Sequence, residues 1–213
     1  MRRALAYGLR RGMRTALPVA GLILAGGRAM RFGGAKEESM LQGRALIDHV
    51  IARAAPMTQT LAISRAAGAA PTERGLPVLV DRYREAGPLA GLHAGLCWAA
   101  SLPNIDYLAT FACDTPFFPD DLVSRLHGAG AAAALPRKAG RIHAAFGLWS
   151  VGLLAPLARA LDEGARAMTA WALANGAASV DLDDGPATEF FNINTRADKR
   201  ALEAMLKAPA GAR

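Results

Sequence analysis

The stretch Leu22-Ile-Leu-Ala-Gly-Gly-Arg-Ala-Met-Arg-Phe-Gly-Gly-Ala-Lys36 decides the fold. Its first four residues are apolar, which is typical of the end of a buried strand, and two glycines follow at once. Glycine lets the backbone approach a ligand closely, and consecutive bare N–H groups form a concave site for an anion. Arg28, Arg31 and Lys36 add positive charge that suits phosphate groups. We therefore predict a loop that holds a nucleoside triphosphate at the carboxyl end of a parallel strand.

A Gly-Gly pair after a strand is most often only a tight turn, so Gly26 and Gly27 alone are weak evidence for a phosphate site. The three cations in the same short loop favour phosphate binding over a plain turn. The loop matches neither G-x-G-x-x-G nor G-x-x-x-x-G-K-[ST], the signatures of dinucleotide-binding folds and P-loops. An NAD-dependent oxidoreductase is therefore disfavoured.

The composition is typical of a single α/β domain, because 52% of the 213 residues are hydrophobic and 20% are charged. No apolar run is long enough to span a membrane. The net charge of +7 comes largely from five arginines that precede the first strand. Aromatic residues do not alternate with these cations, so nucleic acid is not the expected partner. We expect residues 1–17 to form a flexible basic leader and residues 18–208 to form one folded domain.

Apolar runs alternate with segments of helical spacing along the rest of the chain. This pattern predicts a Rossmann-like three-layer α/β sandwich with a mostly parallel sheet and a late mixed strand pair. The expected strands include Leu76–Val80, Asp106–Cys113 and His143–Trp149. Ligands of such sheets bind at the carboxyl ends of the strands. Asp81 and Asp114 follow two of these strands directly and are candidate site residues.

The two strand-end carboxylates suggest different chemistry. Asp114 ends an almost continuously apolar strand, and a carboxylate there suits Mg²⁺, which takes one or two carboxylates together with substrate phosphates. Asp81 is a candidate for holding the base or the ribose. Capping of a turn or of a helix is the alternative role for both residues.

The first stretch resembles the signature Leu-Ala-Gly-Gly-x-x-x-Arg-(Met/Phe)-Gly-Gly-x-x-Lys of the nucleotidyltransferases that act on the molybdenum cofactor, and most closely that of the molybdenum cofactor guanylyltransferases. Three further segments are similar to the same family: Gly87-Pro-Leu-Ala-Gly91, Cys113-Asp-Thr-Pro116 and Phe190-Phe-Asn-Ile-Asn-Thr195. The resemblance covers residues 19–206, and it implies that residues 18–208 form a nucleotidyltransferase domain in the cytoplasm. The family has an asparagine after the second strand, and Ser64 or Arg65 stands in its place here.

The resemblance implies transfer of GMP from GTP to the molybdenum cofactor, a molybdopterin that carries molybdenum, with Mg²⁺ as cofactor and pyrophosphate as the second product. Molybdoenzyme apoproteins or their chaperones are the implied protein partners. The residues implied for the nucleotide are Leu24, Ala25, Gly26, Gly27, Lys36, Asp81 and Asp114; for catalysis, Arg31, Lys36 and Asp114; for the metal, Asp114; and for the second substrate, Asn192 and Asn194. A helix cap is the alternative for the two asparagines. Arg137, Lys138 and Arg141 are candidate contacts of the pterin phosphate, and a solvated charge cluster explains them equally well.

Other functions stay open on the sequence alone. A cytidylyl- or adenylyltransferase that uses the same pterin would have a similar sequence, as would a nucleotidyltransferase that acts on a sugar phosphate. An inactive nucleotide-binding regulator is a further alternative, because a fold and a binding site do not by themselves establish catalysis.

Overall fold

The computed structural model describes residues 17–25, 39–66, 74–83 and 86–207. The strands in these ranges are β1 (Val19–Leu24), β2 (Met40–Leu41), β3 (Arg44–Ala45), β4 (Thr60–Arg65), β5 (Val78–Val80), β6 (Tyr107–Ala112), β7 (Ala133–Lys138), β8 (Arg141–Ile142), β9 (Leu148–Ser150) and β10 (Ala178–Asp181). The helices are α1 (Leu46–Ala54), α2 (Pro88–Ala100), α3 (Leu122–His127), α4 (Leu154–Asp162), α5 (Met168–Ala174) and α6 (Arg196–Lys207), with short 3₁₀ turns at Ala55–Met57 and Val151–Leu153. No helix in these ranges is long and apolar enough to cross a membrane.

One sheet organises the domain, with the strand order β10-β7-β9-β6-β1-β4-β5 and with β8 paired to β7. The half made of β6, β1, β4 and β5 is parallel throughout. The strand β9 runs antiparallel to both β6 and β7, and β10 is parallel to β7. The predicted mostly parallel sheet with a late mixed part is therefore confirmed.

Helices cover both faces of the sheet, because the central strands are apolar on both sides. Along β1, Leu22 faces a core formed with α2, α4 and α5, whereas Ile23 faces a second core formed with α1 and α3. A smaller cluster packs α6 against the β2–β3 hairpin through Leu41 and Leu202. The result is the predicted three-layer sandwich in a single domain.

The antiparallel strand β9 is joined to the parallel half through a buried hydroxyl. Thr110, in the middle of β6, accepts hydrogen bonds from the backbone N–H of Gly147 and from Nε1 of Trp149, both at 3.0 Å. A side chain at Gly147 would lie 2.5 Å from the indole ring of Trp149, so only glycine fits there. These contacts fix where β9 begins.

The predicted strand His143–Trp149 is wrong over most of its length. Residues 143–147 form a turn in which the N–H of Phe146 donates to the carbonyl of His143 at 2.8 Å, and β9 begins only at Leu148. Apolar residues occur in this turn because it is packed against the core. An apolar run alone cannot distinguish such a turn from a strand.

Candidate active site

A cavity of about 900 Å³ opens at the carboxyl ends of the parallel strands, where sheets of this kind bind ligands. The predicted site residues that line it are Leu24, Asp81, Asp114, Asn192 and Asn194. Ala25 lies just behind the wall, buried, and its N–H donates to the carbonyl of Ser64 at 3.0 Å. Five predicted residues from four separate stretches of sequence therefore share one cavity.

The strand β1 ends at this cavity, directly before the predicted triphosphate segment in the sequence. Leu24 and Ala25 are the last described residues before it. Gly26, Gly27, Arg31 and Lys36 lie outside the described residues, as do residues 1–16 of the predicted leader. Their predicted roles stay predictions.

The ends of β4 and β5 hold one carboxylate in place. The hydroxyl of Ser64 donates to Oδ1 of Asp81 at 2.6 Å, and the N–H of Asp81 donates to the carbonyl of Arg65 at 3.1 Å. Burial raises the pKa of Asp81, and the hydrogen bond from Ser64 lowers it in part. The carboxylate is therefore oriented by the protein and only half solvated, which suits recognition of a neutral hydrogen-bond donor.

Helix α2 presents its N-terminus to the same cavity. Gly87, which precedes the helix, has φ of +57°, a conformation that favours glycine, and Pro88 occupies the first helical position. Both residues line the cavity, and no side chain caps the first turn. Pro88 has no N–H, and the N–H of Ala90 donates to the carbonyl of Gly87 at 3.1 Å, so the helix favours an anion at this cavity mainly through the positive end of its dipole.

Asp114 lies in the turn that follows β6, half buried. The hydroxyl of Thr115 donates to its Oδ1 at 3.2 Å, and its own carbonyl accepts from the N–H of Ile193 at 2.9 Å. The second contact joins the end of β6 to the segment that carries Asn192 and Asn194.

The carboxylate of Asp114 suits a hard cation for which substrate and water supply most of the ligands. Within the described ranges, no group of three or more histidine, cysteine, aspartate or glutamate side chains forms a metal cage. Mg²⁺ is commonly bound by one or two carboxylates together with substrate phosphates, so a single carboxylate at a strand end is consistent with it.

The segment before α6 combines a helix cap with cavity-lining residues. The carboxylate of Asp198 accepts from the N–H of Thr195 at 2.7 Å, and the hydroxyl of Thr195 accepts from the N–H of Asp198 at 3.1 Å. Thr195 and Asp198 thus form the reciprocal cap of α6. The asparagine side chains are not needed for that cap, and both residues line the cavity.

An aromatic pair forms the wall on the side of the antiparallel strands. The rings of His143 and Phe190 are stacked with centroids 4.7 Å apart, and both residues line the cavity. Phe190 has φ of +58°, a backbone conformation that is uncommon for a bulky residue and costs about 1–3 kcal/mol. Burial lowers the pKa of His143, and nearby Arg141 and Lys138 lower it further. Both effects favour the neutral form of the imidazole.

The three basic residues of the β7–β8 hairpin differ in their contacts. Arg137 forms a two-pronged ion pair with Asp181, at 2.5 and 2.7 Å, and Lys138 pairs with Glu189 at 2.9 Å. Arg141 lines the cavity. The solvated-cluster interpretation is therefore correct for Arg137, whereas Arg141 lies at the site.

Sequence reasoning missed His143 and Phe190 as site residues. The apolar run that begins at His143 predicts a strand, and no local pattern indicates a left-handed phenylalanine. Gly140, followed closely by a histidine, is a local signal that the chain bends back there.

Known proteins share both the sequence and the fold. Residues 21–177 match the family model described as MobA-like NTP transferase domain. The chain is 38% identical over 205 residues to a molybdenum cofactor guanylyltransferase from Rhizobium leguminosarum bv. trifolii, with 89% of this chain and 94% of the relative covered. It is 42% identical over 198 residues to one from Cereibacter sphaeroides, with 89% and 98% covered.

A solved structure extends this agreement to the fold. Molybdopterin-guanine dinucleotide biosynthesis protein A from Archaeoglobus fulgidus superimposes with a TM-score of 0.68 at 22% identity, covering 88% of this chain and 98% of that one. The predicted family and the predicted enzyme class are thus confirmed: the chain belongs to the molybdenum cofactor guanylyltransferases, within the MobA-like nucleotidyltransferases.

Proposed function

We propose that this protein transfers GMP from GTP to the phosphate of molybdopterin that carries molybdenum, which forms the guanine dinucleotide cofactor and releases pyrophosphate. The observation that carries the proposal is the order of site residues along one edge of the sheet. Asp81 follows β5, Ser64 lies in β4, Ala25 follows β1 directly before the predicted triphosphate segment in the sequence, and Asp114 follows β6. Taken from β5 to β6, this order matches that of the base, the triphosphate and the metal of a bound nucleotide.

The spacing of the strands supports that assignment. The strands that precede Asp81 and Asp114 are three inter-strand steps apart, or about 14 Å. An extended nucleotide can bridge such a span, with its base at the Ser64–Asp81 pair and its α-phosphate near Asp114. The N-terminus of α2 lies at the same cavity, where the positive end of the helix dipole favours an anionic ligand.

Catalysis in this proposal rests on positioning and charge neutralisation. An oxygen of the acceptor phosphate attacks the α-phosphorus in line, and pyrophosphate leaves. Asp114 would hold Mg²⁺, which would neutralise charge on the phosphates. Gly26, Gly27 and Lys36 would hold the triphosphate, and Arg31 would stabilise the departing pyrophosphate. Asn192 and Asn194 would orient the second substrate.

Replacement of Asp114 tests the proposal. The variant Asp114→Asn keeps the size of the side chain and the contact with Thr115 but removes the charge, so pyrophosphate release should fall by about 100-fold or more. The matched control is Asp120→Asn, because Asp120 lies six residues further on, is 83% exposed and pairs with Arg53 instead of lining the cavity. Unchanged turnover in Asp114→Asn would refute the metal assignment.

The choice of nucleotide separates this function from its alternatives. Binding of GTP, CTP and ATP in the presence of Mg²⁺, measured by calorimetry, should favour GTP. Preference for CTP or ATP would point to the cytidylyl or adenylyl reaction. Binding of GTP without pyrophosphate release in the presence of the acceptor would indicate an inactive regulator. We place the reaction in the cytoplasm, where the thiols of Cys97 and Cys113 would stay reduced.

A further inference from the structure

The charge balance of the cavity singles out one side chain. Among the described lining residues, Asp81, Asp114 and Asp198 are acidic, and Arg141 is the only arginine or lysine. Arg141 is exposed, and its guanidinium makes no side-chain hydrogen bond or ion pair within the described part of the chain. Its five donors are thus available to a ligand.

The other cations of the hairpin do not compete for the same ligand. Nε and Nη2 of Arg137 both donate to the carboxylate of Asp181. Lys138 is mostly buried and forms an ion pair with Glu189. A carboxylate already neutralises each of them. Of these three hairpin cations, Arg141 is the one whose charge is not neutralised by a carboxylate in the described part of the chain. An anion that enters this side of the cavity therefore interacts with its full charge.

The hairpin that carries Arg141 is held firmly. Lys138 and Arg141 are paired across the β7–β8 ladder, and the N–H of Ala139 in the turn donates to Oδ1 of Asp183 at 2.6 Å. The N–H of His143 donates to the carbonyl of Pro136 at 2.9 Å. Contacts on both sides of Arg141 thus fix its backbone, so a ligand has to order only its side chain.

The surroundings of Arg141 suit a flat ring that bears a phosphate. The stacked rings of His143 and Phe190 lie on the same wall, and Phe146 contacts Phe190 edge to face at 5.3 Å. This wall includes His143, which lies in the turn between β8 and β9 of the antiparallel part of the sheet. It therefore lies on the opposite side of Asp114 from Ser64 and Asp81.

We propose that Arg141 is the anchor for the phosphate monoester of the acceptor, with the His143–Phe190 wall against the acceptor ring. This inference rests on the function proposed above and assigns a residue to its second substrate. In the step, an acceptor phosphate oxygen forms a bond to the α-phosphorus of GTP. The bond from that phosphorus to the α–β bridging oxygen breaks, and its electron pair leaves with pyrophosphate. Arg141 reduces the repulsion between the two anions and supplies two parallel donors to the attacking phosphate.

The test compares Arg141→Ala, Arg141→Lys and the parent chain, with the molybdenum cofactor as acceptor. In Arg141→Ala the KM for the acceptor should rise about 10- to 100-fold, because charged hydrogen bonds are lost. The Kd for GTP should stay within about twofold. Arg141→Lys should recover part of the loss, since an ammonium offers a point charge instead of a fork. The charge-matched control is Arg159→Ala, an exposed arginine of α4 outside the cavity, which should behave as the parent.

An inhibition experiment separates binding of the phosphate from a general structural role. Inorganic phosphate should compete with the acceptor in the parent and in Arg159→Ala, and should lose most of that effect in Arg141→Ala. A variant Arg141→Ala with the parent's acceptor KM and phosphate inhibition would overturn the inference and leave guanylyl transfer standing. An equal rise in the Kd for GTP and in the KM for the acceptor would also overturn it. A parent that binds no GTP would refute the proposed function itself, and this inference with it.

Discussion

Replacement of Gly91 by alanine tests whether packing of helix α2 holds the Ser64–Asp81 hydrogen bond in place. A Cβ at position 91 would lie 2.6 Å from Oγ of Ser64 and 2.9 Å from Cδ2 of Leu24. The end of Leu24 can rotate away. The hydroxyl of Ser64 cannot move without breaking its 2.6 Å hydrogen bond to Asp81.

Two opposing effects decide the sign of the change in stability. Alanine is favoured over glycine inside a helix by about 1 kcal/mol. Against this, an extra methyl group in a close-packed contact costs about 1–3 kcal/mol. Loss of the Ser64 hydrogen bond to the half-buried carboxylate adds roughly 1 kcal/mol. We therefore expect Gly91→Ala to lower the free energy of unfolding by about 1–3 kcal/mol, although helix propensity alone predicts a gain.

Urea unfolding followed by far-UV circular dichroism measures this change, and a double-mutant cycle identifies its cause. Ser64→Ala removes the oxygen that the new methyl group meets, so Gly91→Ala should cost about 1 kcal/mol less in that background. Gly152→Ala is the control, because its Cβ would be 3.5 Å from Oγ of Ser150, an ordinary contact. A variant Gly91→Ala that is as stable as the parent, or additive costs in the cycle, would refute the reasoning.

Three further changes probe other contacts of the fold. Thr110→Val keeps the shape of the side chain but leaves a backbone N–H and the indole N–H of Trp149 without an acceptor, so urea unfolding should show a loss of about 2–4 kcal/mol that Thr110→Ser avoids. Lys138→Met removes the partner of Glu189, which is only 12% exposed, and should cost about 2–4 kcal/mol, mostly recovered by a second change of Glu189 to Gln. The lowered pKa of His143 adds stability that is complete above the unfolded pKa of about 6.5 and is lost as the pH falls below it. In His143→Gln, the slope of unfolding free energy against pH between about 5 and 7 should therefore be smaller, and an unchanged slope would contradict the assignment.

The parallel half of the site could be predicted from the sequence because local patterns determine it. The run Tyr107–Ala112 is apolar on both faces, which identifies it as a central strand, and Asp114 follows its end. Asp81 follows β5 in the same manner. Once the strands are known to be parallel, their carboxyl ends must lie at one edge, so the two carboxylates are brought together without knowledge of any long-range contact.

The antiparallel half could not be predicted, because contacts between distant residues determine it. Arg137 and Asp181 are separated by 44 residues in sequence, and no local pattern indicates that one neutralises the other. The turn before β9 is set by Thr110, 37 residues away from Gly147. Sequence periodicity contains neither fact. The roles of Arg137 and Arg141 could therefore be separated only in the structure.

The reversal of one strand explains why the two substrates can be recognised separately. Because β9 is antiparallel to β6, with Ala109 opposite Leu148, the turn at 143–147 lies beside the carboxyl end of β6, next to Asp114. A parallel strand in that place would need a crossover connection of a dozen or more residues. The reversal instead places a short turn, with its aromatic wall, at the ligand edge. Substitutions in that turn should therefore alter the choice of acceptor while the Kd for GTP is unchanged, and substitutions at the ends of β4 and β5 should have the opposite effect.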